Sequence, residues 1–293
     1  MKYKIDEIEN GVIVRDVKHF NPVQVAESGQ VFRWNALEDD SVNIVSHGKL
    51  INIKREKEDI VIRGTNKSEF ENIWYDYFDL GRDYVEIRNI LSGDIELDKA
   101  MEYGEGLRMV NQDPFETTIT FIISANNQIP RIKKSVELIA KTYGEAIGEY
   151  DGETVYSFPS PEVLSKADVA EIREITRVGF RDQRIVDTSK MIANGEMILD
   201  ELYNLNREEA RNELIKFPGV GEKVADCILL FAYKFADSFP VDVWVQRIME
   251  TLYLEEPIPK KHIGDFGRKQ FGELAGIAQQ FLFYYGRENK IGK

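Results

Sequence analysis

The sequence predicts an α+β fold, in which an N-terminal antiparallel β-sheet precedes a mostly helical domain. Up to about residue 64, short apolar segments with a period of two alternate with turn residues, which is typical of antiparallel strands. After Gly64 the apolar residues follow helical spacing to the end of the chain. With 293 residues, of which 43% are hydrophobic, the chain is long enough for two or three well-packed lobes.

The predicted elements follow the chain in that order. The strand segments lie at 11–17, 31–34, 42–45, 50–53 and 60–62. His47-Gly48 favours a hairpin turn, and the charged stretch 54–59 would connect to the last strand. The helical segments lie near 67–79, 83–91, 95–103, 114–126, 129–143, 161–176, 181–193, 198–216, 222–235, 242–254 and 271–287. Asp113-Pro114 marks one helix start, since an N-cap aspartate precedes a proline and Glu116 can complete a capping pair.

Composition narrows the classes of function. No apolar run approaches the roughly 18 residues of a membrane-spanning helix, and no secretory signal is recognisable, so we expect a cytoplasmic protein. The single cysteine, Cys227, can form neither an internal disulfide nor an iron-sulfur cluster with four cysteine ligands. The three histidines, His19, His47 and His262, show no ligand spacing, so we expect no metal bound by side chains.

The net charge of -13 argues against a DNA partner, because Lys and Arg drive phosphate binding. Net charge averages over the whole surface, however, and one basic or amide-rich face could still bind DNA.

Residues 212–231 predict a helix, the turn Pro218-Gly219-Val220-Gly221 and a second helix. Glycines permit backbone angles that other residues avoid, and they let a phosphate approach the amides at the start of the second helix. Such an anion site needs no basic residue. By itself, however, the turn is equally compatible with a tight connection between packed helices.

Two charged residues accompany this turn. Lys223 lies in the first turn of the second helix, where the positive end of the helix dipole favours an uncharged, nucleophilic amine. About twenty residues later, Asp242 follows Pro240-Val241 at a predicted helix start. Taken singly, a solvated lysine and a capping aspartate would also explain them.

The pattern of these residues resembles the helix-hairpin-helix DNA glycosylase superfamily, and within it the 8-oxoguanine DNA glycosylase family. Its core is Lys223 after Gly219-Val220-Gly221, followed by Val-Ala-Asp-Cys227 and by Pro-Val-Asp242-Val. Further segments resemble that family in its order, at 28–34, 112–114, 121–131, 179–181 and 278–283. The resemblance covers about residues 10–287.

The resemblance implies a division of the chain into two domains. We expect an N-terminal antiparallel β domain with flanking helices at 1–97 and a two-lobed glycosylase domain at 98–293, with its helix-hairpin-helix at 207–235. The lobes would be near 114–205 and near 98–113 plus 206–293.

The resemblance also implies a reaction. The enzyme would flip 8-oxoguanine out of duplex DNA, opposite cytosine, and excise it. Lys223 would attack C1′ and leave a Schiff base that permits strand cleavage by β-elimination, which makes the protein a glycosylase with AP lyase activity. Asp242 would position the amine and stabilise positive charge on the sugar.

Four further residues would bind the flipped base. By resemblance, the Gly29 carbonyl accepts a hydrogen bond from N7-H of 8-oxoguanine, and Gln279 contacts the Watson-Crick edge. Cys227 and Phe283 would enclose the two faces of the base. Gln279 and Phe283 are four positions apart, as are Lys223 and Cys227, so each pair shares a helix face. Ordinary core packing is the alternative for Cys227 and Phe283.

The remaining implied contacts are to DNA. By resemblance, Asn126 would fill the gap left by the flipped base and contact the opposite cytosine. Phe180 would act as a wedge where relatives often have tyrosine, and Arg131 and Arg181 would read that cytosine. Phosphate binding by these arginines is the alternative. The backbone amides that would bind phosphates belong to Gly219, Gly221 and Val224. Trp244 departs from the histidine usual at a phosphate-contact position.

No cofactor is required, and the expected partner is double-stranded DNA containing 8-oxoguanine, with no membrane association. A structural monovalent or calcium ion could bind at the hairpin carbonyls of Ile215, Phe217 and Val220. We expect a monomer, because the family's site lies between lobes of one chain, and association with the nucleoid if the source is bacterial.

Three other interpretations fit the sequence less well. An alkylated-base glycosylase of the same superfamily relies on the aspartate alone, and Lys223 argues against it. Adenine and thymine-glycol glycosylases with iron-sulfur clusters lack their cysteines here. A non-catalytic helix-hairpin-helix protein would need the glycines but neither Lys223 nor Asp242, and borohydride trapping separates it from a lyase.

Overall fold

The computed structural model describes residues 2–292. Its N-terminal part is a six-stranded antiparallel sheet with the strand order β1-β2-β6-β5-β4-β3. The strands are β1 Ile5–Ile8, β2 Gly11–Val14, β3 Trp34–Ala36, β4 Val42–Ser46, β5 Lys49–Glu56 and β6 Asp59–Arg63. The predicted α+β fold is thereby confirmed.

Local turn chemistry sets the register of the sheet. His47 and Gly48 both have positive φ, at 52° and 67°, and Ser46 pairs with Lys49, so the predicted hairpin turn is confirmed. The connection predicted at 54–59 is wrong in its extent, because β5 continues through Glu56. The strand predicted at 31–34 is also wrong, since only Trp34 belongs to β3.

The sheet packs against short helices. These are α1 Pro22–Glu27, α2 Lys67–Glu69, a π-helical turn Phe70–Trp74, and α3 Tyr75–Tyr77. Val12, Ile53 and Trp74 are fully buried in the core between them. Sequence analysis did not predict α1, although Asn21 caps it and Pro22 begins it.

The rest of the chain is mainly helical. The helices are α4 Tyr84–Leu91, α5 Ile95–Tyr103, α6 Pro114–Ser124, α7 Ile129–Tyr143, α8 Pro161–Leu164, α9 Val169–Thr176, α10 Asp182–Ala193, α11 Arg207–Ile215, α12 Glu222–Ala232, α13 Val243–Leu252, α14 Lys260–Phe271 and α15 Ala275–Glu288. Short 3-10 helices lie at Gly179–Arg181, Leu199–Asn204 and Gly272–Leu274. The expectation of uninterrupted helix after Gly64 is wrong, because β7 Ala146–Tyr150 and β8 Glu153–Tyr156 form a hairpin. Sequence analysis also missed α14.

The two parts of the chain are tied together by buried polar contacts. Arg33 is 4% exposed, and it donates hydrogen bonds to the Glu137 carboxylate at 2.9 Å and to the Tyr156 carbonyl at 2.6 Å. Asp113 caps α6 as predicted, accepting a hydrogen bond from the Glu116 amide at 2.8 Å. The Glu116 carboxyl group lies 3.7 Å from the Arg33 guanidinium. These contacts fix the segment that leads into β3 against α6 and α7.

The helical core surrounds α6 and α12. Phe121 of α6 stacks on Phe231 of α12, with ring centroids 5.6 Å apart. Buried side chains on both sides of the predicted domain boundary near residue 97 also pack into this core, among them Tyr84, Leu91 and Leu107. No helix within residues 2–292 is long and apolar enough to cross a bilayer.

Candidate active site

The predicted helix, turn and helix are present as α11, the segment 216–221 and α12. Gly219 has φ +83°, and a Cβ atom there would lie 2.5 Å from Cδ of Arg184. The conformation therefore favours glycine, and a Cβ atom would also displace the Arg184 side chain. Gly221 caps α12 without a side-chain hydrogen bond, and space is open around it. The first amides of α12 consequently remain available to an anion.

A cavity of about 440 Å³ opens beside the start of α12. Its walls contain every side chain or backbone position predicted to be catalytic or base-binding: Gly29, Lys223, Cys227, Asp242, Gln279 and Phe283. These residues come from the loop after α1, from α12, from the cap of α13 and from α15. The structure thus brings together residues as far apart in the sequence as Gly29 and Phe283.

Lys223 and Cys227 occupy the same face of α12. The Lys223 amine lies 5.5 Å from the Phe121 ring centroid. Cys227 is 4% exposed, and burial raises the pKa of its thiol to about 11, although the neighbouring Lys223 lowers it in part. Cys227 therefore stays a neutral thiol at physiological pH and can serve as an apolar wall.

Asp242 caps α13. Its Oδ1 accepts a hydrogen bond from the Val245 amide at 2.8 Å, as expected of a capping aspartate. The cap fixes the carboxylate at the edge of the cavity that it shares with Lys223.

Gln279, which lines the cavity, carries an unused acceptor. The residue is 3% exposed, and no group among residues 2–292 donates a hydrogen bond to its buried Oε1. An unsatisfied buried acceptor costs on the order of 1–3 kcal/mol. A ligand that supplies an N-H donor at this point would remove that cost.

Gly29 lies opposite the last turns of α15. Its φ is +86°, and a Cβ atom would lie 3.1 Å from both Nη1 of Arg287 and Cε1 of Phe283. The Gln280 side chain also holds this segment, since it donates a hydrogen bond to the Ser28 carbonyl at 2.9 Å.

Arg287 is a cavity residue that sequence analysis missed. Its Nη2 donates to the Glu27 carbonyl at 2.5 Å, and its guanidinium lies 5.4 Å from the Phe283 ring centroid. Arg287 could have been predicted from the sequence. The spacing of four residues that links Gln279 to Phe283 on α15 continues to Arg287.

Three side chains predicted to contact DNA, Asn126, Arg131 and Phe180, lie at the surface between the end of α6 and the start of α10. Asn126 is exposed, and its backbone adopts the left-handed conformation with φ 52°. Phe180 is 54% exposed, and Arg131 is also exposed. Arg181 differs, because it is buried beneath them. Trp244 lines the cavity.

Comparison with known protein families gives two matches. Residues 12–118 match the 8-oxoguanine DNA glycosylase N-terminal domain, and residues 119–268 match the HhH-GPD superfamily of base excision DNA repair proteins. A probable N-glycosylase/DNA lyase of Methanothermobacter thermautotrophicus is 33% identical, over 73% of this chain and 74% of the relative. The N-glycosylase/DNA lyase of Saccharomyces cerevisiae is 29% identical, over 88% of this chain and 81% of the relative.

Two solved structures are similar over nearly the whole chain. One is an 8-oxoguanine glycosylase/lyase of Clostridium acetobutylicum in complex with double-stranded DNA containing cytosine opposite 8-oxoguanine. It is 43% identical with a TM-score of 0.95, and the match covers 99% of this chain and 100% of that one. The other is MBOgg1 in complex with a low-affinity DNA ligand, which is 45% identical with a TM-score of 0.96 over 99% and 100% of the two chains.

Proposed function

This chain belongs to the 8-oxoguanine DNA glycosylase family of the HhH-GPD superfamily, and from this we propose that it removes 8-oxoguanine from duplex DNA in base excision repair. It is a DNA glycosylase with lyase activity. The observation that carries the proposal is the cavity that Lys223, Asp242 and Gln279 line together.

Lys223 is the proposed nucleophile. Its neutral amine attacks C1′ of the flipped nucleotide, and the glycosidic bond breaks with its electron pair leaving on the base. The amine gives up its two protons, one to the departing base anion and one to O4′, as the sugar ring opens to a Schiff base. Removal of a C2′ proton then expels the 3′ phosphate by β-elimination, which cleaves the strand.

Asp242 supports this step from the cap of α13. Positive charge develops on the sugar as the base leaves, and a fixed carboxylate stabilises it without reorganisation. The hydrogen bond from Val245 supplies that fixation.

The base pocket offers groups that match 8-oxoguanine. The lesion differs from guanine in carrying a proton on N7, and the Gly29 carbonyl accepts a hydrogen bond from this N7-H group. The unused Oε1 of Gln279 suits the N-H donors of the Watson-Crick edge. Phe283 and the neutral Cys227 thiol enclose the ring.

The DNA partner is held mainly by backbone amides and a few side chains. The amides of Gly219, Gly221 and Val224 bind phosphates at the open start of α12, and Trp244 contacts the backbone beside the cavity. The exposed Arg131 reads the opposite cytosine with its forked donors. A monomer suffices, because one chain supplies every proposed contact.

We also propose a structural monovalent or calcium ion at the hairpin. Ile215 ends α11, so its carbonyl lies where the helical hydrogen-bond ladder stops. The Phe217 carbonyl accepts one hydrogen bond, from the Val220 amide at 3.1 Å, and keeps a second lone pair. With the Val220 carbonyl, these oxygens suit a hard cation. Potassium or calcium should raise the melting temperature above that in choline chloride, and an unchanged melting temperature contradicts the ion site.

The function is tested with duplexes that carry one 8-oxoguanine opposite C, A, G or T. Wild-type protein should release the base and nick the strand, fastest opposite C. Lys223→Gln should do neither and still bind DNA, while Lys216→Gln, which alters an exposed lysine at the end of α11, should behave as wild type. Binding without base release in the wild type would contradict the proposal.

A further inference from the structure

A second cavity, of about 330 Å³, adjoins the nucleophile. It shares Lys223 with the base pocket and has no other residue in common with it. Its remaining walls come from α11, α12, the segment before α13, and α14. Lys223 therefore borders two separate spaces, and only one of them is accounted for by the flipped base.

The second cavity is cationic, although the whole chain has a net charge of -13. Five of its side chains are lysine or arginine, and two are acidic. Arg211 lies beside both acidic groups, since its Nη2 is 3.2 Å from Glu222 and its Nε is 3.4 Å from Asp226. Beside the nucleophile, the cations that remain are Lys260, Lys261 and Arg268. This excess of positive charge attracts an anion.

The stability of α14 does not explain its two lysines. Lys260 and Lys261 are its first residues, and the preceding Pro259 provides no side-chain hydrogen bond as a cap. The helix dipole is positive at this end, so cations there are unfavourable. Both lysines are exposed, and neither forms an ion pair within the described part of the chain. A bound anion would compensate the lysines and the dipole together.

A second helix begins at the same cavity. Glu222 and Lys223 are the first residues of α12, and Gly221 caps it without a side-chain hydrogen bond. Arg268 adds an unused donor, because its buried Nη1 has no acceptor among residues 2–292. Two open helix starts, two unpaired lysines and a guanidinium thus converge, which suits the several oxygens of a phosphate group.

The proposed reaction brings one particular phosphate close to Lys223. The Lys223 amine is bonded to C1′ in the Schiff base, and the same sugar carries the 3′ phosphate. In the β-elimination a C2′ proton passes to water, a C2′–C3′ double bond forms, and the C3′–O3′ bond breaks with its electron pair on O3′. The phosphate diester, a monoanion, thereby becomes a monoester dianion. Cations that are already in place stabilise such a leaving group as its charge develops.

We propose that this cavity is the leaving-group site for strand cleavage, in which Lys260, Lys261 and Arg268 hold the phosphate on the 3′ side of the excised base. The proposal rests on the proposed function and adds a subsite to it. Base release leaves the charge of this phosphate unchanged, whereas strand cleavage increases it. The site therefore assists the lyase step more than the glycosylase step.

Separate single-turnover rates for the two steps test this role. Base release is measured on 8-oxoguanine duplex, and strand cleavage on a duplex with a preformed abasic site. In the double variant Lys260→Gln/Lys261→Gln, strand cleavage should slow about tenfold more than base release. This is less than the effect of an enclosed oxyanion site, because both lysines are exposed.

A matched double variant controls for the loss of two positive charges. Lys269→Gln/Lys290→Gln alters two exposed lysines outside the cavity and should keep the wild-type ratio of the two rates. Equal slowing of both steps in Lys260→Gln/Lys261→Gln, or no slowing of either, contradicts the proposal.

Binding to product-like duplexes tests the site without any reaction. Each duplex has a one-nucleotide gap and carries a phosphate on the 3′ side of the gap, on its 5′ side or on neither side, and all are compared at one salt concentration. Wild type should bind the 3′-side phosphate duplex about three- to tenfold more tightly than the duplex without phosphate. Lys260→Gln/Lys261→Gln should lose this preference.

Two results of the binding measurement would overturn the proposal. One is wild-type affinity that does not depend on the 3′-side phosphate, and the other is a preference for the 5′-side phosphate alone. The gapped duplexes contain no 8-oxoguanine, so this outcome is independent of which lesion the enzyme excises.

Discussion

Two substitutions should separate the capping role of Asp242 from its chemical role. The 2.8 Å hydrogen bond from the Val245 amide is lost in Asp242→Ala and kept in Asp242→Asn, because asparagine is an equally good cap. Loss of such a cap costs about 1 kcal/mol. For a chain of this size, that lowers the melting temperature by roughly 2–4 °C. Asp242→Asn should melt near the wild-type temperature.

Both substitutions remove the carboxylate charge. Loss of a preorganised electrostatic group of this kind slows the chemical step by about 10²–10³-fold. Single-turnover base release should therefore fall by a similar factor in Asp242→Asn and Asp242→Ala, although only the second loses stability.

Asp168 is the matched control. It caps α9 through a 2.9 Å hydrogen bond from the Glu171 amide, and it does not line the cavity. Asp168→Ala should lose the same stability and keep full activity. The reasoning is refuted if Asp242→Asn retains the wild-type rate, or if it melts as low as Asp242→Ala.

Three further substitutions probe the pocket and its support. Gly29→Ala should bind 8-oxoguanine duplex less tightly, because the new methyl group crowds Phe283. In addition, a backbone φ of +86° costs a residue with a Cβ atom about 1–2 kcal/mol. Unchanged affinity in a binding titration contradicts this. Arg287→Met removes the donor to the Glu27 carbonyl, close to the Gly29 side of the base pocket. It should therefore slow base release but leave cleavage of a preformed abasic site unchanged. Equal loss of both activities contradicts this. Burial raises the pKa of Glu116 from 4.5 to about 8, so the wild type loses stability as pH rises across that window. Glu116→Gln should flatten the fall in melting temperature between pH 5 and pH 8, and an unchanged slope contradicts the assignment.

Sequence predicts an element best where local chemistry determines it. The His47-Gly48 turn and the caps at Asp113 and Asp242 were found because a few neighbouring residues specify each one. Asp151-Gly152 is a signal of the same kind that was overlooked. Both residues have positive φ and they form the turn between β7 and β8.

Tertiary packing explains the main helix that sequence analysis missed. Gly264 and Gly267 lower the helix propensity of α14. The packing requires Gly267, since a Cβ atom there would lie 2.5 Å from the Phe239 ring. Contact with Phe239 thus outweighs propensity, and such contacts cannot be inferred from spacing along the chain.

The candidate site likewise contains residues specified by local sequence and residues that depend on tertiary contacts. The hairpin, Lys223 and Asp242 could be predicted because they lie in short motifs with defined spacing. The burial of Arg181 beneath Asn126 could not, because it depends on carbonyls about 55 positions away. Residues that support a site are therefore harder to predict than residues that carry its chemistry.

Borohydride trapping tests most directly whether Lys223 forms the Schiff base. Wild-type protein and 8-oxoguanine duplex, mixed with borohydride, should give a covalent protein-DNA adduct, and mass analysis of its peptides should place the modification on Lys223. Lys223→Gln should give no adduct. An adduct on another amine, or base release by the wild type without any adduct, would contradict the account.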